Sequence, residues 1–217
     1  NLMFLIDYIN DEIGLDDVVF ILTGDHGVMA LPEYLQSKKI SSGRISSSQR
    51  KKVYSEILNQ INQVIGIDKV IQYGNAFYLN KDLSKEEREV ATKIIKKAVR
   101  SIEGVSEALS VEDILNLSPN KLNNRLKNMI HPHKGPDVYV LLKENWLWKR
   151  SYGSSHGSHY DYDSQVPLII SKNNIIKDYI NSTIHTVDIP ITIANILDLN
   201  YPKNVDGIPL NVQFQYK

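Results

Sequence analysis

The chain has no cysteine. That removes disulfide staples and thiolate metal ligands, and leaves His, Asp and Glu as the strong ligand types. It also lacks an excess of either charge, since 25 Lys and Arg balance 25 Asp and Glu. Without a basic field there is no footprint for nucleic acid or for an anionic membrane surface, and neither partner is expected. No apolar run approaches the roughly 20 residues that cross a bilayer, so no membrane span is expected in this part. What is present suits a soluble α/β protein: 217 residues, 42% of them hydrophobic, can bury a core unaided. The first residue is Asn, and helical patterning begins at once with no signal-peptide pattern. The expectation is a piece of a longer protein, with any targeting segment upstream.

Leu2, Leu5, Ile6, Ile9 and Ile13 recur at helical spacing and predict a helix over 2–13 packed on a sheet. Val18–Leu22, VVFIL, reads as a fully buried strand. Residues 38–52, KKISSGRISSSQRKK, read as an exposed connection and 53–65 as a helix. VIQYGNAFYLN predicts a hairpin turning at Gly74-Asn75. A strong helix follows over 84–101, with Ser84 as N-cap and Glu87 as its capping-box partner. VSEALSVEDIL reads as a short strand and turn, residues 137–142 resume the main sheet, and VPLIIS is one more buried strand. Asp188 is expected to cap a last helix, with Pro190 in its first turn. The predicted fold is α/β: a mostly parallel sheet flanked by helices, formed by 1–49 and 131–217, with a small inserted α+β subdomain over 50–130.

The chemistry concentrates in two loops. After VVFIL the chain reads LTGDHG, placing Asp25 and His26 between Gly24 and Gly27. A carboxylate and an imidazole together can bind one divalent ion, and the glycines allow a tight turn and close approach. A capped or hydrogen-bonded Asp-His pair is the plainer reading of those two residues alone. About 130 residues downstream, SSHGSHYDYDSQVPLII carries His156 and His159, with Asp161 and Asp163 beside them. Two histidine loops at strand boundaries could converge on one edge of a sheet.

LTGDHGV, PEYLQSKKI, HGSHYDYDSQVPLII and TVDIPITIANILDLNYPKNVDGIPL, in this order, resemble the carboxy-terminal portion of the alkaline phosphatase superfamily. The match is to its type I phosphodiesterase and nucleotide pyrophosphatase-like branch, most like the bacterial monoesterases with a threonine nucleophile. The resemblance implies two Zn2+ ions that clamp the attacking and leaving oxygens of phosphoryl transfer. It implies that Asp25 and His26 belong to the ion that binds the nucleophile. His156 belongs to the ion beside the leaving group, and His159 ranks below it because relatives often carry proline there. Asp161 and Asp163 would orient the histidine loop from behind the ligands, or equally serve as turn residues bonded to backbone N–H groups.

The family's nucleophile, its first aspartate ligand and its Asp-x-x-x-His pair belong to an amino-terminal half that this sequence does not contain. No catalytic nucleophile is expected here; Asp7 lies on a helix and reads as a surface residue. Of roughly seven ligands expected for a two-ion site, this stretch holds about three. Alone it should bind zinc poorly and turn over no ester. In the complete protein the resemblance implies a phosphomonoesterase working through a phospho-enzyme on a small-molecule ester. The partner of this stretch would be the amino-terminal half, and the location periplasmic or secreted. A phosphodiesterase or nucleotide pyrophosphatase is the alternative within the superfamily; a metal-free binding or scaffold protein retaining the fold is the alternative outside it. Elsewhere, His131-Pro132-His133-Lys134 reads as a metal or phosphate clip or an exposed loop. His185 reads as surface or satisfied core, and Trp146 and Trp148 as an edge strand or loop.

Overall fold

The computed structural model describes residues 2–66, 69–132, 134–148 and 152–214. In chain order its elements are α1 (Leu2–Glu12), β1 (Phe20–Thr23), α2 (Pro32–Ser37), β2 (Gly43–Ile45), α3 (Ser47–Val64), β3 (Val70–Tyr73), β4 (Ala76–Leu79), α4 (Lys85–Val99), β5 (Val105–Ser110), α5 (Val111–Leu115), α6 (Lys121–Met129), β6 (Val138–Leu142), β7 (Trp146–Trp148), α7 (Asp161–Ser164), β8 (Leu168–Ser171) and α8 (Asp188–Ile196). The class is α/β, as the patterning requires. Two compact units divide the chain: residues 24–166, and residues 1–23 with 167–217. No helix among the described residues is long and apolar enough to cross a membrane.

The unit 24–166 is built on a four-stranded antiparallel sheet in the order β3-β4-β6-β5. Gly74, at φ 56°, turns the β3–β4 hairpin so that Tyr73 faces Ala76 across it. The apolar stripes of α3 and α4 pack Ile57, Ile61, Ile95 and Val99 against Phe77 and Val138, and none of these six is exposed. The capping box at the start of α4 is present: Ser84 Oγ accepts from Glu87 N, and Glu87 Oε2 accepts from Ser84 N. Helices α5 and α6 bury Ile114 and Leu126 with Leu109 in a second, smaller cluster. Neither helix was expected, although Ser110-x-x-Asp113 is itself a capping box.

Two expectations change here. Residues 137–142 read as a strand of the main sheet, yet β6 hydrogen-bonds between β4 and β5 in the sheet of this unit. Strand identity follows from composition, whereas the neighbour a strand takes is decided by contacts far away in sequence. Residues 38–52 read as an exposed connection, yet β2 lies within them and pairs in parallel with β7, Ile45 opposite Trp148. Ile45 is 2% exposed. Gly43 is what lets the strands approach, because a Cβ there would stand 2.7 Å from the Trp146 ring. Two isoleucines five residues apart among serines and lysines, only Ile45 of them buried, give no hydrophobic period to read.

In the other unit β1 and β8 pair antiparallel, Phe20 opposite Ser171 through Thr23 opposite Leu168. Among the described strands only β2 and β7 pair in parallel. Helix α1 forms where the spacing predicts, but none of its residues is buried, and Phe4 is 74% exposed. The fully buried strand expected at VVFIL is half open as well, with Leu22 53% exposed. Apolar periodicity says which side chains would gain by leaving water; it does not supply the surface that covers them. Asp188 lies in the first turn of α8 and does not cap it. Its carboxylate accepts from Ile208 N and His185 N, both at 2.8 Å, and these bonds hold its pKa below the usual carboxylate range.

Candidate functional site

Within the glycine-flanked turn after Thr23, His26 N donates to Asp25 Oδ1 at 3.0 Å. The Nδ1 of His26 lies 2.7 Å from the Gly27 carbonyl oxygen. A carbonyl only accepts, so Nδ1 is the donor of this pair, which in the neutral tautomer leaves the lone pair on Nε2. That nitrogen is 3.6 Å from Asp25 Oδ2. A tetrahedral ion bound at about 2.0–2.1 Å holds its N and O donors roughly 3.4 Å apart. The pair therefore fits one divalent ion, and a carbonyl on the far nitrogen is how ligating histidines are commonly oriented. Gly27 is required by close approach: a Cβ there would sit 2.0 Å from the Tyr162 carbonyl oxygen.

The second histidine loop meets the first. The rings of His26 and His156 stack with centroids 3.5 Å apart and planes 10° from parallel. Backbone bonds fasten the loops together, Gly27 N to Asp163 O at 2.8 Å and Met29 N to Ser155 O at 3.2 Å, and Ser154 Oγ donates to the Met29 carbonyl. Asp163 is the hinge pin of this arrangement. Its carbonyl holds Gly27, while its carboxylate, on a residue only 5% exposed, accepts from Ser158 N at 2.7 Å. Its other oxygen, Oδ1, is buried without a hydrogen-bond partner.

Asp161 acts at one remove. Its exposed carboxylate takes Lys121 at 3.0 Å and Arg125 at 2.7 Å, and these hydrogen bonds hold its pKa below the usual range. Arg125 Nη1 in turn donates to the His159 carbonyl at 2.9 Å. The His159 ring packs on Tyr160 with centroids 4.4 Å apart, and burial, aided by Arg125, pushes its pKa down. His131 lies in an exposed loop whose carbonyl accepts from Gly135 N; His133 lies outside the described residues. His185 is exposed in the other unit. Among the described residues no three or more His, Asp or Glu side chains gather into a ligand set.

One contributor escaped the sequence reading. Arg44 grips Glu33 with both edges of its guanidinium, at 2.6 and 2.9 Å, and its Nη2 also donates to the Gly153 carbonyl at 2.8 Å. The bond from Arg44 pushes the Glu33 pKa down to about 2. This ties β2 and α2 to the segment leading into His156. Opposite charges eleven residues apart follow no local spacing rule, so nothing in the sequence marks them.

No protein-family model matches the chain. Alkaline phosphatase PhoV of Synechococcus elongatus is 23% identical over 93% of this chain and 36% of its own length. A protein named calcium-transporting ATPase from Myroides odoratus is 25% identical over 94% of this chain and 38% of its own. Alkaline phosphatase PafA of Elizabethkingia meningoseptica is 23% identical over 95% and 39%. The chain thus spans under two fifths of the length of these relatives. The crystal structure of wild-type alkaline phosphatase PafA superposes with a TM-score of 0.81 over 96% of this chain and 40% of that one, at 19% identity, and shares its fold. With its GDHG and HGS loops brought together on this fold, the chain is similar in sequence to the carboxy-terminal part of these alkaline phosphatases and shares the fold of PafA.

Proposed function

We propose that this chain supplies the carboxy-terminal ligand loops of a metal-dependent phosphoric monoester hydrolase, and that the amino-terminal part of the same protein supplies the nucleophile and the remaining ligands. Asp25 and His26 would hold one divalent ion and His156 a second, zinc being the metal the family resemblance implies. Two such ions, when bound, lay positive charge against both the attacking and the departing oxygen of a phosphoryl transfer. The observation that carries the reading is the stacking of His26 on His156 at 3.5 Å, across 130 residues of chain. That spacing is close to the roughly 3.5–4 Å between ions in two-metal sites, so rings stacked this way can each serve a different ion.

The rest of the work done by this chain is orientation. The Gly27 carbonyl fixes which nitrogen of His26 is free, and Asp163 sets the height of the His156 loop against the GDHG turn. Arg44 and Arg125 brace that loop from its two ends, through the carbonyls of Gly153 and His159. Small-molecule phosphate esters are the substrate class that fits the likeness to these phosphatases.

The test uses the complete protein and this chain separately. His156→Ala in the complete protein should abolish aryl phosphate hydrolysis and lower its metal content; turnover retained at the parent rate would overturn the assignment. The 217-residue chain alone should bind zinc weakly and hydrolyse nothing, because three ligands divided between two ions leave each below the three or four protein ligands a tight site needs.

A further inference from the structure

Among the described residues the arginines are almost all paired with a carboxylate. Of the five described, four hold a carboxylate: Arg44 with Glu33, Arg88 with Asp137, Arg100 with Glu107 and Arg125 with Asp161. Arg50 holds none among the described residues. Its guanidinium instead lies over the ring of Trp148, 5.2 Å from the centroid. Lys143 repeats the arrangement, its Nζ 6.0 Å above the ring of Trp146, again with no carboxylate among the described residues. Both cations line a single cavity of about 370 Å³, whose lining also includes His156 and His159.

That cavity is a positively biased chamber beside the proposed leaving-group ligand. Among the described residues its one carboxylate is Asp163, held by Ser158 N through Oδ2, so Arg50 and Lys143 leave it a net positive charge. A guanidinium held over an indole by cation–π attraction can still turn N–H groups to an arriving planar or tetrahedral anion. A half-buried Arg50 with no carboxylate partner among the described residues, in a cavity lined by Ser155, Ser158 and Tyr162 as well as the two indoles, can take an anion from outside. Given the functional reading above, on which this rests, we propose that the cavity is an anion subsite for the departing part of the ester. Preferred substrates are then phosphate esters whose alcohol bears a second anionic group, a carboxylate or a phosphoryl group.

The chain has two tryptophans, and both line this cavity, so tryptophan fluorescence excited selectively over the twelve tyrosines reports binding beside them. The 217-residue chain is titrated at constant low ionic strength with benzoate, with inorganic phosphate, and with neutral benzamide. Benzoate or phosphate should give a saturable change and benzamide none; which anion binds more tightly tells the carboxylate source from the phosphoryl source. Arg50→Met should weaken that anion about tenfold or more and Arg50→Lys less, since Lys keeps the charge without the fork. Lys143→Met, on an exposed residue, should weaken it about threefold and serves if Arg50→Met does not fold. No saturable response to either anion, an equal response to benzamide, or unaltered affinity in a folded Arg50→Met variant overturns the proposal. Binding needs no turnover. Saturable binding with no ester hydrolysis by the complete protein would sink the functional reading and leave an anion site standing. Hydrolysis with equal preference for anionic and neutral leaving groups would do the reverse.

Discussion

Residues 24–166 and residues 1–23 with 167–217 are comparable in their apolar patterning and differ sharply in what they bury. The first unit encloses two clusters of buried side chains, with Phe77, Ile57, Ile61, Ile95 and Val138 at zero exposure. In the second, Ile191 is the one buried hydrophobic residue among those described, while Phe4 and Ile208 are each 74% exposed. The first unit therefore has an interior of its own. The second displays apolar faces of the kind that mark an interaction surface. Both histidine loops, at 24–27 and 152–159, belong to the unit that already has its core. Preorganisation of a site requires rigid support, and that is the unit which supplies it.

The comparison breaks first at the cores. Phe77→Ala should cost about 3–5 kcal/mol in denaturant unfolding of this chain, whereas Phe4→Ala should change it by about 0.5 kcal/mol or less, since Phe4 is 74% exposed. Equal costs would mean that the two units are packed alike. A smaller effect is expected at the pin between the loops. Asp163→Ala strands the part-buried Ser158 N–H and should cost about 1 kcal/mol or more. The same change should lower metal affinity of the complete protein about 10–100-fold, as loss of a ligand-orienting carboxylate does. Asp161→Ala, on an exposed carboxylate, should do far less on both counts.

The smallest effect is a pH dependence. Glu33 has its folded pKa lowered from 4.5 to about 2 by Arg44. A depressed acid stabilises the fold above its unfolded pKa, and that contribution is lost as pH falls from about 4.5 towards 2. Stability of the chain should decline through that window, and Glu33→Gln should flatten the decline. Because Glu33 is well exposed, salt should blunt the effect.

Much of this was legible in the residues, and what escaped did so for identifiable reasons. Signals confined to a few neighbouring positions were readable: the Ser84–Glu87 capping box, the Gly74-Asn75 turn, and the GDHG and HGS loops that turned out to face one another. Partnerships across long separations were not. Arg44 reaching Glu33 and Gly153, and Arg125 reaching the His159 carbonyl, depend on a fold already formed. Strand β2 hid because one buried Ile among serines carries no period. Helix α1 is the converse case, readable as a helix but not as an uncovered one, because burial belongs to the surface that meets it.

The account turns on two imidazoles, far apart in the chain, sharing one place. Nuclear Overhauser contacts between assigned ring protons of His26 and His156 test this in the 217-residue chain without any need for activity. Rings stacked as close as these predict strong cross-peaks that vanish in His156→Ala. Well-resolved resonances for both rings with no cross-peak between them would contradict it.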